Sequence, residues 1–382
     1  MKPGIWKKEE ASEMKPAERQ NVSKPTGAAG RLFFLAVLAI AMTVGCTSKS
    51  RAPSGAESTR VSLIGAGSTF IYPAMTQWIS DYQKAHPNVK INYQSIGSGG
   101  GIQQVKAGLV DFGASDAALN DHQLTEMPPL VQIPESSGPV CITYNLPHLK
   151  QPLRLTAATL AGIYLGKIRR WNDPALEKVN PGVKLPNIPI VVAHRSDGSG
   201  TTNIFTTYLA AVSPEWAKKV GASISVEWPV GLGGKGSEGV TGIVEQTPGG
   251  FGYVELDYAT TNHLPVALVE NRAGKFVAPT AAGTQAAIGA FADSIAKDVR
   301  NPVVDPPASA PDAYPISGFT FLLVPKKASD PAKGKALRDF IRYILTDGQQ
   351  VATKLDYAAI PKSVVQLDEG LLSQTEGANP AP

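Results

Sequence analysis

An α/β fold with mainly parallel sheets is predicted by three features of this 382-residue chain. Short β-rich runs alternate with stretches of helical periodicity, and glycine-rich turns sit where strands pass into helices. The series also breaks and resumes, which implies two lobes rather than one. The first series opens with a candidate strand at Val61–Ile64. Ile71, Met75, Trp78, Ile79 and Tyr82 then mark one face of a helix that ends before His86-Pro87. Val89–Tyr93 is the next strand, a short helix follows around Ile102–Ala107, and a third strand lies near Val110–Ala114.

Val140–Tyr144 is a strand able to carry the chain into a second lobe. Ile188–Ala193 is a strand that leads directly to Arg195, and Ile204, Phe205, Tyr208, Leu209 and Val212 recur on one helical face after it. Phe251–Glu255 is a further strand behind the turn Pro248-Gly249-Gly250. The proline- and alanine-rich stretch from Asn301 to Pro315 suits a boundary loop. Beyond it, strand Phe319–Val324 and helix Ala336–Leu345 return to the first lobe. The expected division is 61–142 with 316–382 as lobe 1 and 143–315 as lobe 2. Two crossings between lobes make a hinge and a cleft.

The segment 1–45 is expected to be an export signal. Leu32–Val44 is an apolar run of thirteen residues behind Arg31, too short for the ~20 residues a membrane-spanning helix needs. Thr43-Val44-Gly45-Cys46 resembles a bacterial lipobox, so Cys46 is the expected lipidation site, although Thr43 departs from the usual leucine. Residues 46–60 hold little that could be buried and read as a flexible tether. Removing 45 of 382 residues leaves 337, enough for two ordinary domains. The discarded leader carries seven Lys/Arg and four Asp/Glu, so the formal charge of +4 falls to +1. Nothing in that balance supports nucleic-acid binding. Only Cys141 accompanies Cys46, which leaves stability to core packing rather than to an internal disulfide.

Three segments share one topological position, at the passage from a strand into a helix. They are Gly65-Ala66-Gly67-Ser68-Thr69-Phe70, Ser95-Ile96-Gly97-Ser98-Gly99-Gly100-Gly101 and Arg195-Ser196-Asp197-Gly198-Ser199-Gly200-Thr201-Thr202. Such entrances offer orphan N–H groups, a positive dipole end and close backbone approach, which together suit an anion. Singly, each reads as well as a flexible loop or a capped surface helix. The coincidence of three favours an oxyanion cradle, because ligands in open α/β sheets collect at strand ends. Arg195 is the fixed cation, and Asp197 can hold its guanidinium in place. Gly231-Leu232-Gly233-Gly234-Lys235-Gly236-Ser237 lacks P-loop spacing and is expected to be a loop whose backbone matters, with Lys235 solvated.

Asp116 ends the third strand and should face the same cleft. A carboxylate in an anion site adds repulsion unless the ligand has a proton to donate. Hydrogenphosphate and dihydrogenphosphate do; fully ionised sulfate does not. A site built around a donated hydrogen rejects analogues lacking it by on the order of 10⁴. The other reading of Asp116 is a cap on a helix starting at Ala117-Ala118-Leu119.

Taken in order, GAGSTF (65–70), GSGGG (97–101), VDFGASDA (110–117), IYLGKIRRWND (163–173), RSDGSGTT (195–202), WPVGLGGKGSEG (228–239), GYVE (252–255) and LDYAAIP (355–361) resemble the phosphate-binding proteins of bacterial high-affinity phosphate ABC transporters. The resemblance covers nearly all of residues 61–365. It implies a two-lobed, hinged periplasmic binding protein of type II, each lobe a mixed, mainly parallel sheet flanked by helices. It further implies phosphate contacts from Thr69, Phe70 (through its backbone N–H), Ser98 and Asp116 in one lobe. Arg195, Ser199, Gly200 and Thr201 would bind from the other, with Asp197 steadying Arg195. His194 stands where some relatives carry a second arginine. No cofactor is implied; the partners would be inorganic phosphate, the permease subunits and, through Cys46, the membrane, with the chain acting as a monomer.

Two rival classes remain open. Sulfate or molybdate would fit a tetrahedral cradle, but Asp116 opposes both. A phosphatase would need a metal cluster or an activated nucleophile. The five histidines (His86, His122, His148, His194, His263) are scattered, without an H-E-x-x-H or G-x-S-x-G pattern.

Overall fold

The computed structural model describes residues 60–146 and 149–375. The expected signal segment, most of the tether and Cys46 lie outside the described residues. In the first half the chain runs through β1 (Val61–Gly67), α1 (Tyr72–Ala85), β2 (Val89–Ser95), α2 (Ser98–Lys106), β3 (Phe112–Ser115) and α3 (Asp121–Thr125). β1 pairs in parallel with β2 and β3, the arrangement predicted from the alternating pattern. The apolar face of α1 is buried at Ala74, Met75, Trp78, Ile79 and Tyr82. Strand β1 runs three residues further than its apolar run, through Gly65 and Gly67. Phe112 explains Gly65: a Cβ there would lie 2.2 Å from the ring atom Cζ.

β4 (Leu130–Tyr144) leads away from these elements. There follow β5 (Arg154–Leu155), α4 (Ala157–Tyr164), α5 (Pro174–Val179), β6 (Val191–Arg195), α6 (Gly200–Val212) and α7 (Pro214–Lys219). Next come β7 (Leu232–Gly234), α8 (Gly236–Gln246), β8 (Gly250–Glu255), α9 (Leu256–Thr261), β9 (Leu268–Glu270) and β10 (Phe276–Val277). Helices α10 (Ala281–Ala290) and α11 (Ala292–Lys297) precede an irregular stretch where the boundary loop was expected. The chain ends in β11 (Ser317–Pro325), α12 (Pro331–Leu345), α13 (Asp347–Thr353) and α14 (Lys362–Leu372).

Eight strands form one sheet in the order β2-β1-β3-β11-β4-β8-β6-β7, and β10-β9-β5 make a small second sheet. The pivot is β4. Its residues Leu130–Pro139 pair antiparallel with β11, and Val140–Tyr144 pair antiparallel with β8. A single fifteen-residue strand therefore belongs to the ladders of both halves. The sequence pattern exposes only its second part. Pro134, Pro139 and Ser136-Ser137-Gly138 disguise the first part, since proline is normally confined to edges and bulges. The register does shift here, skipping Glu135 between Pro134 and Ser136. The chain returns beside this strand, with Val140 N–H donating to Ile316 O at 2.8 Å. Among the described residues no helix is long and apolar enough to cross a membrane.

Each half has its own aromatic packing. In the first, Tyr82 meets Phe340 edge-on at 5.1 Å and Trp78 donates to Gly348 O at 2.7 Å. In the second, Phe205, Tyr253 and Trp228 stack beneath β6 and α6, with centroids 4.5 and 5.8 Å apart. Rigid, close-packed floors of this kind hold the loops above them in place.

Candidate functional site

All three glycine-rich entrances meet at the carboxyl ends of β1, β2 and β6, with the end of β3 between them. From the first half, Thr69 precedes α1, Ser98 is the first residue of α2, and Asp116 follows β3. From the second half, Arg195 ends β6, and Ser199, Gly200 and Thr201 open α6. Thr69, Ser98, Asp116, Arg195, Ser199 and Thr201 are all buried.

Contacts across the two halves are direct. Gly200 N–H donates to Ser98 Oγ at 3.0 Å, and Thr201 Oγ1 donates to Asp116 Oδ2 at 3.3 Å. Gly99 N–H donates to Gly198 O at 2.8 Å, bringing two backbones together where side chains could not fit. A Cβ at Gly200 would lie 2.6 Å from both the N of Asp116 and the Oγ of Ser98. Gly97 takes φ +83, and a Cβ there would lie 2.2 Å from Asp197 Oδ2. Both positions need glycine, one for proximity and one for conformation as well.

Arg195 is clamped. Its Nε donates to Asp197 Oδ1 at 2.8 Å and its Nη2 to Asp197 Oδ2 at 2.5 Å, a two-point ion pair. Burial works against the guanidinium charge, but Asp197 outweighs it and holds the arginine above its ordinary pKa. Asp197 in turn accepts from Gly236 N–H at 3.0 Å. Below, Tyr253 Oη accepts from Arg195 N–H at 3.2 Å. The ion pair leaves Nη1 of Arg195 facing Ser237 Oγ at 3.5 Å.

Asp116 has the opposite environment. Burial pushes its carboxyl up to about 6, although Ser68, Arg195, Thr320 and Thr201 all favour the charged form. Ser68 Oγ donates to its Oδ1 and accepts from Phe70 N–H at 3.0 Å. Phe70 N–H, expected from the resemblance to face the ligand, is thus engaged by Ser68, while the Phe70 ring packs edge-on to Tyr357 at 5.9 Å. The alternative of Asp116 as a helix cap does not hold. The next helix starts at Asp121 and is capped by Asn120.

Ser199 serves α6 as its N-cap, its hydroxyl accepting from Thr202 N–H at 3.1 Å. Accepting that bond leaves the hydroxyl hydrogen of Ser199 free to donate. His194 lies half-buried and stacked on Trp228 at 4.9 Å, with its Nδ1 3.0 Å from Arg195 O. Burial lowers its pKa, so it adds little positive potential near Arg195.

The segment 231–237 contributes more than backbone. It forms β7 and the start of α8, which makes it a fourth strand-to-helix entrance. Lys235 is exposed as expected, but Ser237 is buried and sits 2.8 Å from Thr69 Oγ1 through its own Oγ. Its N–H also donates to Thr69 Oγ1 at 3.2 Å. Sequence reasoning passed over Ser237 because β7 is three residues long and carries only one apolar side chain, Leu232. The shared strand-end position was the available signal.

Residues 52–348 match the PBP superfamily domain. The phosphate-binding protein PstS of Xylella fastidiosa strain Temecula1 is 46% identical over 319 residues, covering 83% of this chain and 86% of the relative. The PstS protein of Methanocaldococcus jannaschii is 40% identical over 361 residues, covering 88% and 92%. In fold, the chain is similar to a phosphate-binding protein from Stenotrophomonas maltophilia, with a TM-score of 0.62 at 19% identity over 81% of this chain and 93% of that one. A high-affinity periplasmic phosphate-binding protein bound with phosphate gives a TM-score of 0.63 at 23% identity, with the same coverage.

Proposed function

This chain belongs to the PstS family of phosphate-binding proteins, and on that premise we propose that it captures inorganic phosphate outside the cytoplasmic membrane for an ABC-type import permease. The observation that carries this reading is Asp116, a buried acid in a site otherwise built from N–H groups, hydroxyls and Arg195. Such a carboxylate accepts a hydrogen from protonated phosphate and repels a fully ionised oxyanion. The direct contacts are Thr69, Phe70 N–H, Ser98, Asp116, Arg195, Ser199, Gly200 and Thr201. In this reading the groups that now bond one another across the halves, and Phe70 N–H, which now donates to Ser68 Oγ, exchange those bonds for phosphate oxygens.

The mechanism is capture without chemistry. Residues 61–142 with 316–382 act as one lobe and 143–315 as the other. Phosphate enters between them and stabilises the closed arrangement through its higher affinity for that state. The closed form then docks on the permease. Export by the segment 1–45, a lipid on Cys46 and a monomeric state complete the proposal.

Calorimetric titration of the full chain, purified in detergent, tests it. Tight binding of phosphate with no heat from sulfate or molybdate is expected. Equal affinity for sulfate would overturn the phosphate reading. Chelator-sensitive phosphate release from p-nitrophenyl phosphate would replace it with an enzymatic one.

A further inference from the structure

The motifs GYVE, LDYAAIP and the end of WPVGLGGKGSEG supply no proposed phosphate contact, yet they converge behind the first binding loop. Three consecutive carbonyls of that loop each receive a tyrosine hydroxyl. Tyr93 Oη donates to Ser68 O at 2.9 Å, Tyr258 Oη to Thr69 O at 2.7 Å, and Tyr357 Oη to Phe70 O. All three tyrosines are buried. A peptide whose carbonyl is held back turns the following N–H the other way, so the tyrosines fix which edge of residues 68–70 faces the cleft.

The three are not equivalent. Tyr93 on β2 and Tyr357 after α13 belong to the same half as the loop, although the Tyr357 hydroxyl also lies 3.3 Å from Glu255 Oε2 of the other half. Tyr258 reaches the loop from α9 in the other half. Around Tyr258 the halves are parted by a groove lined by Tyr72, Thr76, Glu245 and Asn262. Beside this groove the halves meet through hydroxyl bonds, with Thr260 Oγ1 also donating to Asp356 Oδ2 at 3.2 Å. The Tyr258 hydroxyl also lies 3.0 Å from Glu238 Oε1, on α8 of its own half. It has one hydrogen and two acceptors within reach, Thr69 O and Glu238 Oε1. Thr69 O also accepts from Tyr72 N–H at 3.3 Å.

We propose that Tyr258 is a closure latch, a positioning residue that holds the Thr69 carbonyl only in the closed state and slows phosphate release. Glu238 is the acceptor that receives its hydrogen on opening, so neither state strands the hydroxyl. The latch rests on the reading that the halves close around phosphate. It adds to that reading a residue that touches no phosphate atom.

The test is Tyr258→Phe, which removes one oxygen and keeps the ring. Stopped-flow release and calorimetry with inorganic phosphate should show affinity falling about tenfold, nearly all of it in a faster release rate. The melting temperature without phosphate should stay at the wild-type value, while the rise on adding phosphate shrinks. Tyr93→Phe is the comparison, since its bond to Ser68 O lies within one half; it should lower the melting temperature with and without phosphate alike. Wild-type release kinetics in Tyr258→Phe would overturn the latch. So would an equal loss of melting temperature in both states, which would mark the hydroxyl as structural. Failure of the wild-type chain to bind phosphate would instead remove the functional reading itself.

Discussion

The two faces of the proposed site are built on opposite electrostatic plans. The second half presents Arg195, already neutralised in part by Asp197, and the amino end of the thirteen-residue helix α6. These attract any anion and carry little information about which one. The first half presents hydroxyls and Asp116, whose charge opposes an anion and whose pKa is pushed up to about 6 by burial. In this proposal attraction and discrimination are thereby assigned to different parts of the chain. Each can be altered without the other.

Removing the attracting face should have the largest effect. Arg195→Ala deletes the buried cation and leaves Asp197 without its ion-pair partner. Phosphate affinity should fall on the order of a hundredfold or more by calorimetry, because each hydrogen bond to a charged group contributes roughly 1.5–3 kcal/mol. Retention of wild-type affinity would show that the helix terminus alone draws in the anion.

Gly200→Ala tests whether the faces must meet. The added methyl would overlap Asp116 and Ser98, so closure costs about 1–3 kcal/mol and phosphate binding weakens about tenfold or more. Stability without phosphate should hold or rise, since alanine suits the first turn of α6 better than glycine does. An unimpaired Gly200→Ala would mean that the ligand-bound halves sit further apart than these.

Asp116→Asn separates discrimination from attraction. Phosphate affinity should drop about tenfold, and sulfate should gain measurable binding. The pH dependence follows from the same group. Its folded pKa of about 6 lies above the unfolded value of 3.8, so the native state holds the proton more tightly. The associated stability is full below about pH 4 and lost as pH rises through about 6. Replacing the charge should therefore stabilise the ligand-free protein near pH 7 by up to about 3 kcal/mol, measurable by urea unfolding. In the wild type, preference for phosphate over sulfate should narrow below about pH 6, where a neutral Asp116 can donate to either anion. A flat selectivity profile would count against Asp116 as the discriminating group.

The smallest effect is expected at the contact between faces that neither attracts nor discriminates. Ser237→Ala removes the hydroxyl bond to Thr69 Oγ1 and leaves the backbone one, and a change of about threefold in affinity is expected. A hundredfold loss would promote Ser237 from a bridge to a ligand.

The loops of the site and the supports behind them also differed in how openly the sequence displayed them. Strand-to-helix passages with glycine and a hydroxyl are local features, so the loops at Thr69, Ser98 and Arg195 stood out, and the structure brings them together. Contacts that depend on long-range pairing did not show. Ser237 follows a strand of three residues, and the tyrosines behind residues 68–70 arrive from positions as distant as 258 and 357. Leu130–Pro139 was hidden for a different reason. Its two prolines and its serines contradict strand propensity, and β11 on one side imposes the extended form nonetheless. The asymmetry is physical: a ligand cradle is written in neighbouring residues, whereas its supports are written across the fold.

Strand β4 has a bearing on how the molecule comes apart. Its backbone is claimed by β11 along one stretch and by β8 along the next, with no linker between them. Melting either ladder frays the strand that the other ladder needs, and Ile133 and Ile142, both fully buried in one continuous hydrophobic core, would lose their packing together. Heating should consequently give a single calorimetric peak, with van't Hoff and calorimetric enthalpies in agreement, rather than two separable transitions. A molecule that must bend to trap its cargo thus has no weak seam along which heat can divide it.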